Sequence, residues 1–126
     1  MLDQIKDSGR MVVDVAQASE YYYYEGTLQA SQYFYGPVLN AQGKARVVLT
    51  ARNESSSPGT ISFGVYISHL QDFSIYQPRF GQSTTAGSNY HNSDYLPAQF
   101  CRAYAVASST SGTYSYKIWL AIHPVS

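Results

Sequence analysis

Apolar and polar residues alternate along several short runs of the chain, and each run predicts a β-strand. In "TISFGVYIS", Ile61, Phe63, Val65 and Ile67 fall on one side, and Thr60, Ser62, Gly64, Tyr66 and Ser68 on the other. "KARVVLTAR" alternates in the same way, with Val47, Leu49 and Ala51 inward and Arg46, Thr50 and Arg52 outward. The intervening "NESSSPG" has turn composition, so these two strands are expected to form a hairpin. "TYSYKIWLAIH" places Tyr114, Tyr116, Ile118, Leu120 and Ile122 on one face, and Ser115, Lys117, Trp119, Ala121 and His123 on the other. "AQFCRAYAVAS" precedes it across "STSG", which predicts a second hairpin. In that segment Cys101 alternates with Ala103, Ala105 and Ala107, a small-residue face suited to close backbone packing.

"RMVVDVAQ", "EYYYYEG", "TLQASQYFYG" and "DFSIYQ" are weaker strand candidates, while "LDQIKDS" at residues 2–8 could make one or two helical turns. The sum is about eight short strands, the spacing expected of an all-β fold: an antiparallel β-sandwich or small jelly roll. Residues 1–126 read as one domain, with residues 1–19 a candidate N-terminal arm. Its "RMVVDVAQ" could add to the sheet edge of a neighbouring subunit. One polar stretch, Gln77 to Gln99, breaks the regular spacing and reads as a long functional loop.

Charge narrows the function. Eight basic and eight acidic residues cancel, and charged residues are only 13% of the 126. That gives no electrostatic case for nucleic acid or an anionic membrane, and it does little to keep copies of the chain apart. No segment has the length and apolarity of a membrane-spanning helix, so membrane insertion is not expected. The first residues lack the basic segment and apolar run of a secretory signal. Cys101 is the only cysteine, so no disulfide can form within the chain, and a buried inert thiol is the expected role. Asn53-Glu54-Ser55 matches a glycosylation sequon that needs a secretory context.

No catalytic signature is present: no nucleophile elbow, no phosphate-binding glycine loop, no zinc-helix motif. The nearest is a doubled H-x-x-D, His69 with Asp72 and His91 with Asp94. Imidazole and carboxylate suit divalent metals. On a strand, however, residues three apart point to opposite faces, so each pair converges only where the backbone turns. The alternative is two turns carrying ordinary polar residues, and no cofactor is implied.

Thirteen tyrosines need an explanation of their own. Along Tyr21–Tyr24 a strand must send two rings to each face, one pair into the core and the other outward. Exposed aromatics mark contact surfaces. Trp119 lies outward if Ile118, Leu120 and Ile122 face the core, and becomes core if the register slips by one residue. Outward, it is covered by residues 77–98, buried against another subunit, or used to stack on a sugar. The candidate ligand-binding residues are therefore Trp119 and His123 on the last strand, with Tyr90, His91, Asp94 and Tyr95 in the long connection. In a glycan site Trp119 or Tyr90 would stack, while Asp94 and His91 would bind hydroxyls.

The final "GTYSYKIWLAIHP" resembles the closing strand of H-type lectin-like domains and of phage tail-fibre tip domains. The glycine-aromatic strand usual before that ending is replaced by "QFCRAYAVASSTSG", so no sugar-binding residue is carried over. The resemblance implies a class, small oligomeric β-sandwiches that contact glycans. Together these readings predict a non-enzymatic homo-oligomeric structural or binding module, a virion or extracellular appendage subunit. Its aromatic surfaces would serve subunit contact or recognition of a cell-surface glycan. The alternatives are a secreted lectin-like or adhesin domain with a metal-assisted sugar site and, after it, a hydrolase built on one of the histidines.

Overall fold

A computed structural model describes residues 19–41 and 45–124. The candidate strand "RMVVDVAQ" and the helical turns at residues 2–8 lie outside the described residues. The elements are β1 (Glu20–Leu28), β2 (Tyr33–Tyr35), β3 (Leu39–Asn40), β4 (Ala45–Asn53), β5 (Ile61–Ser68), β6 (Gln77–Thr84), β7 (Asn89–Leu96), β8 (Phe100–Ala107) and β9 (Tyr114–Pro124). They form two antiparallel sheets. The four-stranded sheet runs β1-β9-β4-β7, and the facing sheet runs β2-β8-β5-β6 with β3 also on β8. Apart from β5 and β6, strands consecutive in sequence and longer than the β2–β3 pair change sheet at each connection, which makes the sandwich a jelly roll.

That topology corrects both predicted hairpins. β4 pairs with β7 and β9, and β5 with β6 and β8, so "NESSSPG" crosses between sheets instead of folding a strand back on its neighbour. β8 and β9 likewise stand in opposite sheets. A turn-rich segment specifies a change of direction but not which sheet receives the next strand. Residues 77–99 are also not a long loop: they hold β6 and β7, an edge strand of each sheet. "DFSIYQ" is the reverse error, since all of it but Gln77, the first residue of β6, lies in the connection between β5 and β6.

The core follows the alternation. Val47, Leu49 and Ala51 of β4 and Ile118 and Leu120 of β9 face Ile61, Phe63 and Val65 of β5, all essentially without solvent contact. Cys101, Ala103, Ala105 and Ala107 are buried on β8, and this small-residue strip leaves volume for large rings beside it. Along the β1–β2 side of the sandwich those rings are Tyr24, Phe34 and Tyr116. Phe34 is 5.6 Å from Tyr24 and 5.4 Å from Tyr116 between ring centroids. The opposite side, between β6 and β7, is joined by an ion pair, Arg79 Nε to Asp94 Oδ2 at 3.1 Å.

One end of the sandwich is tied by Asn53, which is fully buried at the end of β4. Its Nδ2 donates to the carbonyl of Gly59 at 2.9 Å and to that of Thr84 at 2.8 Å. The sequon asparagine is thus structural, and a glycan on Nδ2 is incompatible with this fold. Among the described residues no helix is long and apolar enough to cross a membrane.

Candidate functional site

Register places the outward side chains of the four-stranded sheet in rows. Tyr23 pairs with Trp119, Trp119 with Thr50, and Thr50 with His91, a row spanning all four strands. The neighbouring rows are Tyr21–Ala121–Val48–Ser93 and His123–Arg46–Tyr95. Trp119 is 43% exposed and Tyr23 46%, with Tyr21 and Tyr95 more open still, so among the described residues no loop covers this face. The tyrosine run therefore divides as strand geometry requires: Tyr21 and Tyr23 outward, Tyr22 and Tyr24 half-buried against the core.

The outward rings support one another. Tyr23 lies 5.3 Å from Trp119 at a tilt of 44°, and Tyr21 meets His123 edge-on at 5.9 Å. The Tyr23 hydroxyl donates to Glu25 at 2.7 Å, and Ser19 and the Nδ1 of His123 share a 2.8 Å hydrogen bond. Towards one end the face becomes charged, where Glu54 holds Arg52 at 2.8 Å and Lys117 at 3.3 Å. Those two cations lower the pKa of the Glu54 carboxyl.

Of the six residues singled out from sequence, four share this face: Trp119, His123, His91 and Tyr95. They are not adjacent. His91 stands two strands from Trp119, roughly 10 Å away, and hydrogen-bonds Thr50 at 2.8 Å. Tyr90 and Asp94 point the other way because they alternate with His91 and Tyr95 on β7. Tyr90 is buried, with Asn92 Nδ2 donating to its hydroxyl at 3.2 Å, and Asp94 is engaged by Arg79. The pattern expected of a sugar site, a Tyr90 ring with His91 and Asp94 beside it, does not assemble. His69 and Asp72 lie on the β5–β6 connection and His91 on β7, and no group of three or more metal-ligating side chains occurs among the described residues.

The facing sheet carries a second aromatic group that sequence reasoning missed. Tyr104 on β8 stacks on Tyr66 of β5 with centroids 4.3 Å apart. Tyr66 meets Tyr76 at 4.9 Å and Tyr35 at 6.3 Å, and Tyr33 stacks parallel to Tyr35. Arg102 projects among these rings, its guanidinium carbon 5.3 Å from the centre of Tyr35 and 5.4 Å from that of Phe73. Its Nε donates to the Gly36 carbonyl at 2.9 Å. Tyr35, Tyr66, Phe73, Tyr76 and Arg102 line a cavity of about 250 Å³. Tyr76 also walls a neighbouring cavity of about 340 Å³ bounded by Leu70, Ile75 and Pro97. The available signal was a cation placed outward beside Tyr104 on a strand otherwise built of small residues.

The molecule is a jelly-roll β-sandwich with an aromatic group on the outside of each sheet, and no helix occurs among the described residues. Solved structures of the same architecture include a chain of the Bacillus endospore appendages, described as disulfide-linked pili. It has a TM-score of 0.55 at 8% identity, over 86% of this chain and 89% of that one. The PBSX exported protein XepA matches with a TM-score of 0.70 at 12% identity, over 92% of this chain but only 40% of XepA. The K1 cleaved adhesin domain of Lys-gingipain from Porphyromonas gingivalis W83 gives 0.54 at 19%, over 82% of this chain and 73% of that one. At such identities the likeness shows the fold alone. No protein-family model and no curated protein sequence matches the chain. The likeness to H-type lectins and tail-fibre tips thus extends only to the β-rich class; the neighbours found include a pilus chain and an adhesin domain.

Proposed function

We propose that the protein is a non-enzymatic assembly subunit of a virion or extracellular appendage, and that the outer face of its four-stranded sheet meets a second copy of the chain. The observation that carries this is the Tyr23–Trp119 pair, two large rings held in contact on an exposed sheet face whose ion pairs gather towards one end. Tryptophan and tyrosine are the residues that dominate interface energetics when water is excluded around them. Net charge is compatible with the same partner, since eight cations and eight anions leave no net repulsion between copies.

The contact is non-covalent. Cys101 is the sole cysteine and is fully buried, so it cannot link copies of the folded chain by a disulfide. Fold neighbours in pili agree with an assembly role by analogy of architecture only. Sedimentation across a wide concentration range tests the reading. The wild-type chain is expected to run larger than a monomer, and Trp119→Ser combined with Tyr23→Ser to run as a monomer with an unchanged circular dichroism spectrum. Each removed anchor should cost at least about 2 kcal/mol, roughly thirtyfold in affinity. A wild-type monomer at every concentration overturns it.

A further inference from the structure

We infer that the cage around Arg102 is a binding site for an acidic sugar, a pyranose bearing a carboxylate. It goes beyond the assembly role and lies on the other sheet.

Among the described residues the cation has no anionic partner. Arg52 and Arg79 each pair with a carboxylate, Glu54 and Asp94. Arg102 instead is held by a carbonyl. No acidic side chain lines the cavity. The rings of Tyr35 and Phe73 lie by the guanidinium, and the Gly36 bond fixes Nε. An arginine held in this way loses little further freedom when its remaining N–H groups close on a carboxylate as a fork.

The loop over the cage is built to stay in place. Phe73 adopts a left-handed backbone, φ 56°, which a bulky residue rarely takes, and yet its side chain is buried. Its N–H bonds the Leu70 carbonyl at 3.1 Å, and Asp72 accepts from the Ser74 N–H at 3.0 Å. Buried Ser68 donates to the Ile75 carbonyl at 2.6 Å and accepts from the Leu70 N–H at 2.9 Å. A strained residue held by so many neighbours is the kind of feature found at ligand clamps. Here it sets Phe73 beside Arg102 and Tyr76 at the rim.

Shape and chemistry select the ligand class. A cavity of about 250 Å³ admits one pyranose ring, and the adjoining space beyond Tyr76 admits a second residue of a chain. Tyrosine faces suit the C–H face of a sugar, and their hydroxyls serve its hydroxyl groups. One guanidinium with no second cation in the lining matches a singly charged carboxylate better than a phosphate dianion.

Calorimetry on the full chain tests this with short oligosaccharides ending in glucuronic or sialic acid, their neutral counterparts, and inorganic phosphate. Acidic sugars are expected to bind at least tenfold more tightly than neutral ones and to resist competition by phosphate. Arg102→Lys should weaken binding about tenfold through loss of the fork. Tyr76→Ala, at an exposed ring outside the core, should weaken it comparably with the fold intact. Trp119→Ser should leave it unchanged, which separates this site from the assembly face. Equal binding of neutral and acidic sugars, displacement by phosphate at equal concentration, wild-type affinity in both cage variants, or no acidic-sugar binding each overturns it.

Discussion

Tyr66 stacks on Tyr104 with ring centroids 4.3 Å apart and planes inclined by only 16°. The stack is possible because Tyr104 lies across two glycines, Gly64 on β5 and Gly81 on β6, which register places side by side. A Cβ at position 64 would come within 2.6 Å of the Tyr104 ring and would also run into the Phe80 carbonyl oxygen. One at position 81 would meet the Tyr104 hydroxyl and lie 2.9 Å from the Phe63 carbonyl.

Gly64→Ala should therefore lower stability by about 1–3 kcal/mol, the cost of overpacking a site whose neighbours include backbone. Urea unfolding of the variant against the wild type reads it directly. An unchanged midpoint would mean that Tyr104 does not rest on these glycines.

Asn53 predicts a second loss. Asn53→Ala strips the Gly59 and Thr84 carbonyls of their shared donor at a buried position. Unsatisfied buried groups cost about 1–3 kcal/mol each, so the variant should unfold at markedly lower denaturant. Asn53→Asp should be worse than alanine, because it sets a carboxylate against two carbonyl oxygens. If both variants match the wild type, this amide does not tie the end of the sandwich.

Alkaline pH should unfold the protein. The Tyr22 hydroxyl is pushed up to about 12, first by its hydrogen bond to Glu20 and then by burial. Burial raises Tyr24, Tyr66, Tyr104 and Tyr116 as well. Protons held more tightly in the folded chain than in the unfolded one stabilise the fold while both states keep them. That contribution is complete below about pH 10 and is lost as pH climbs from there through the raised folded values. The urea midpoint should be lower at about pH 11 than at about pH 9, and tyrosinate absorbance should appear later in the folded chain than in urea. Coincident titration of the two states would contradict the burial seen here.

Cys101 should resist thiol reagents. It is fully buried on β8, and desolvation pushes its thiol up to about 12. Thiolate is the reactive form, so labelling should track global unfolding in a denaturant series. Rapid labelling of the native protein would show that β8 opens locally.

Much of the architecture was readable from alternation. Ile61 to Ile67 and Tyr114 to Ile122 bury the side that their pattern indicated, and Tyr21 to Tyr24 divide between core and surface. Cys101 with its three alanines lies inward, and Trp119 outward, as their parity required. The strands at the sandwich margin escaped detection for a physical reason. β6 and β7 are edge strands with mostly exposed side chains, so hydroxyl and amide residues there look like a loop. Conversely, Phe73 and Ile75 alternate like a strand although Phe73 takes a left-handed turn conformation. The Arg102 cage joins side chains from β2, β5, β8 and the β5–β6 connection. Only the folding of the sheet brings Tyr35, Tyr66, Tyr76 and Arg102 together, and no local spacing announces it.

The placement of the two aromatic groups on opposite outer surfaces of one sandwich has a consequence for valency. Two copies joined face to face through Trp119 and Tyr23 around a two-fold axis close that contact on themselves. Their Arg102 cages then look away from each other, on the far side of each copy. On the two readings proposed above such a pair is bivalent, able to bridge two acidic glycan chains or grip one surface twice. Engagement of both cages would raise the effective affinity by orders of magnitude over a single weak site, without one additional contact in either cage.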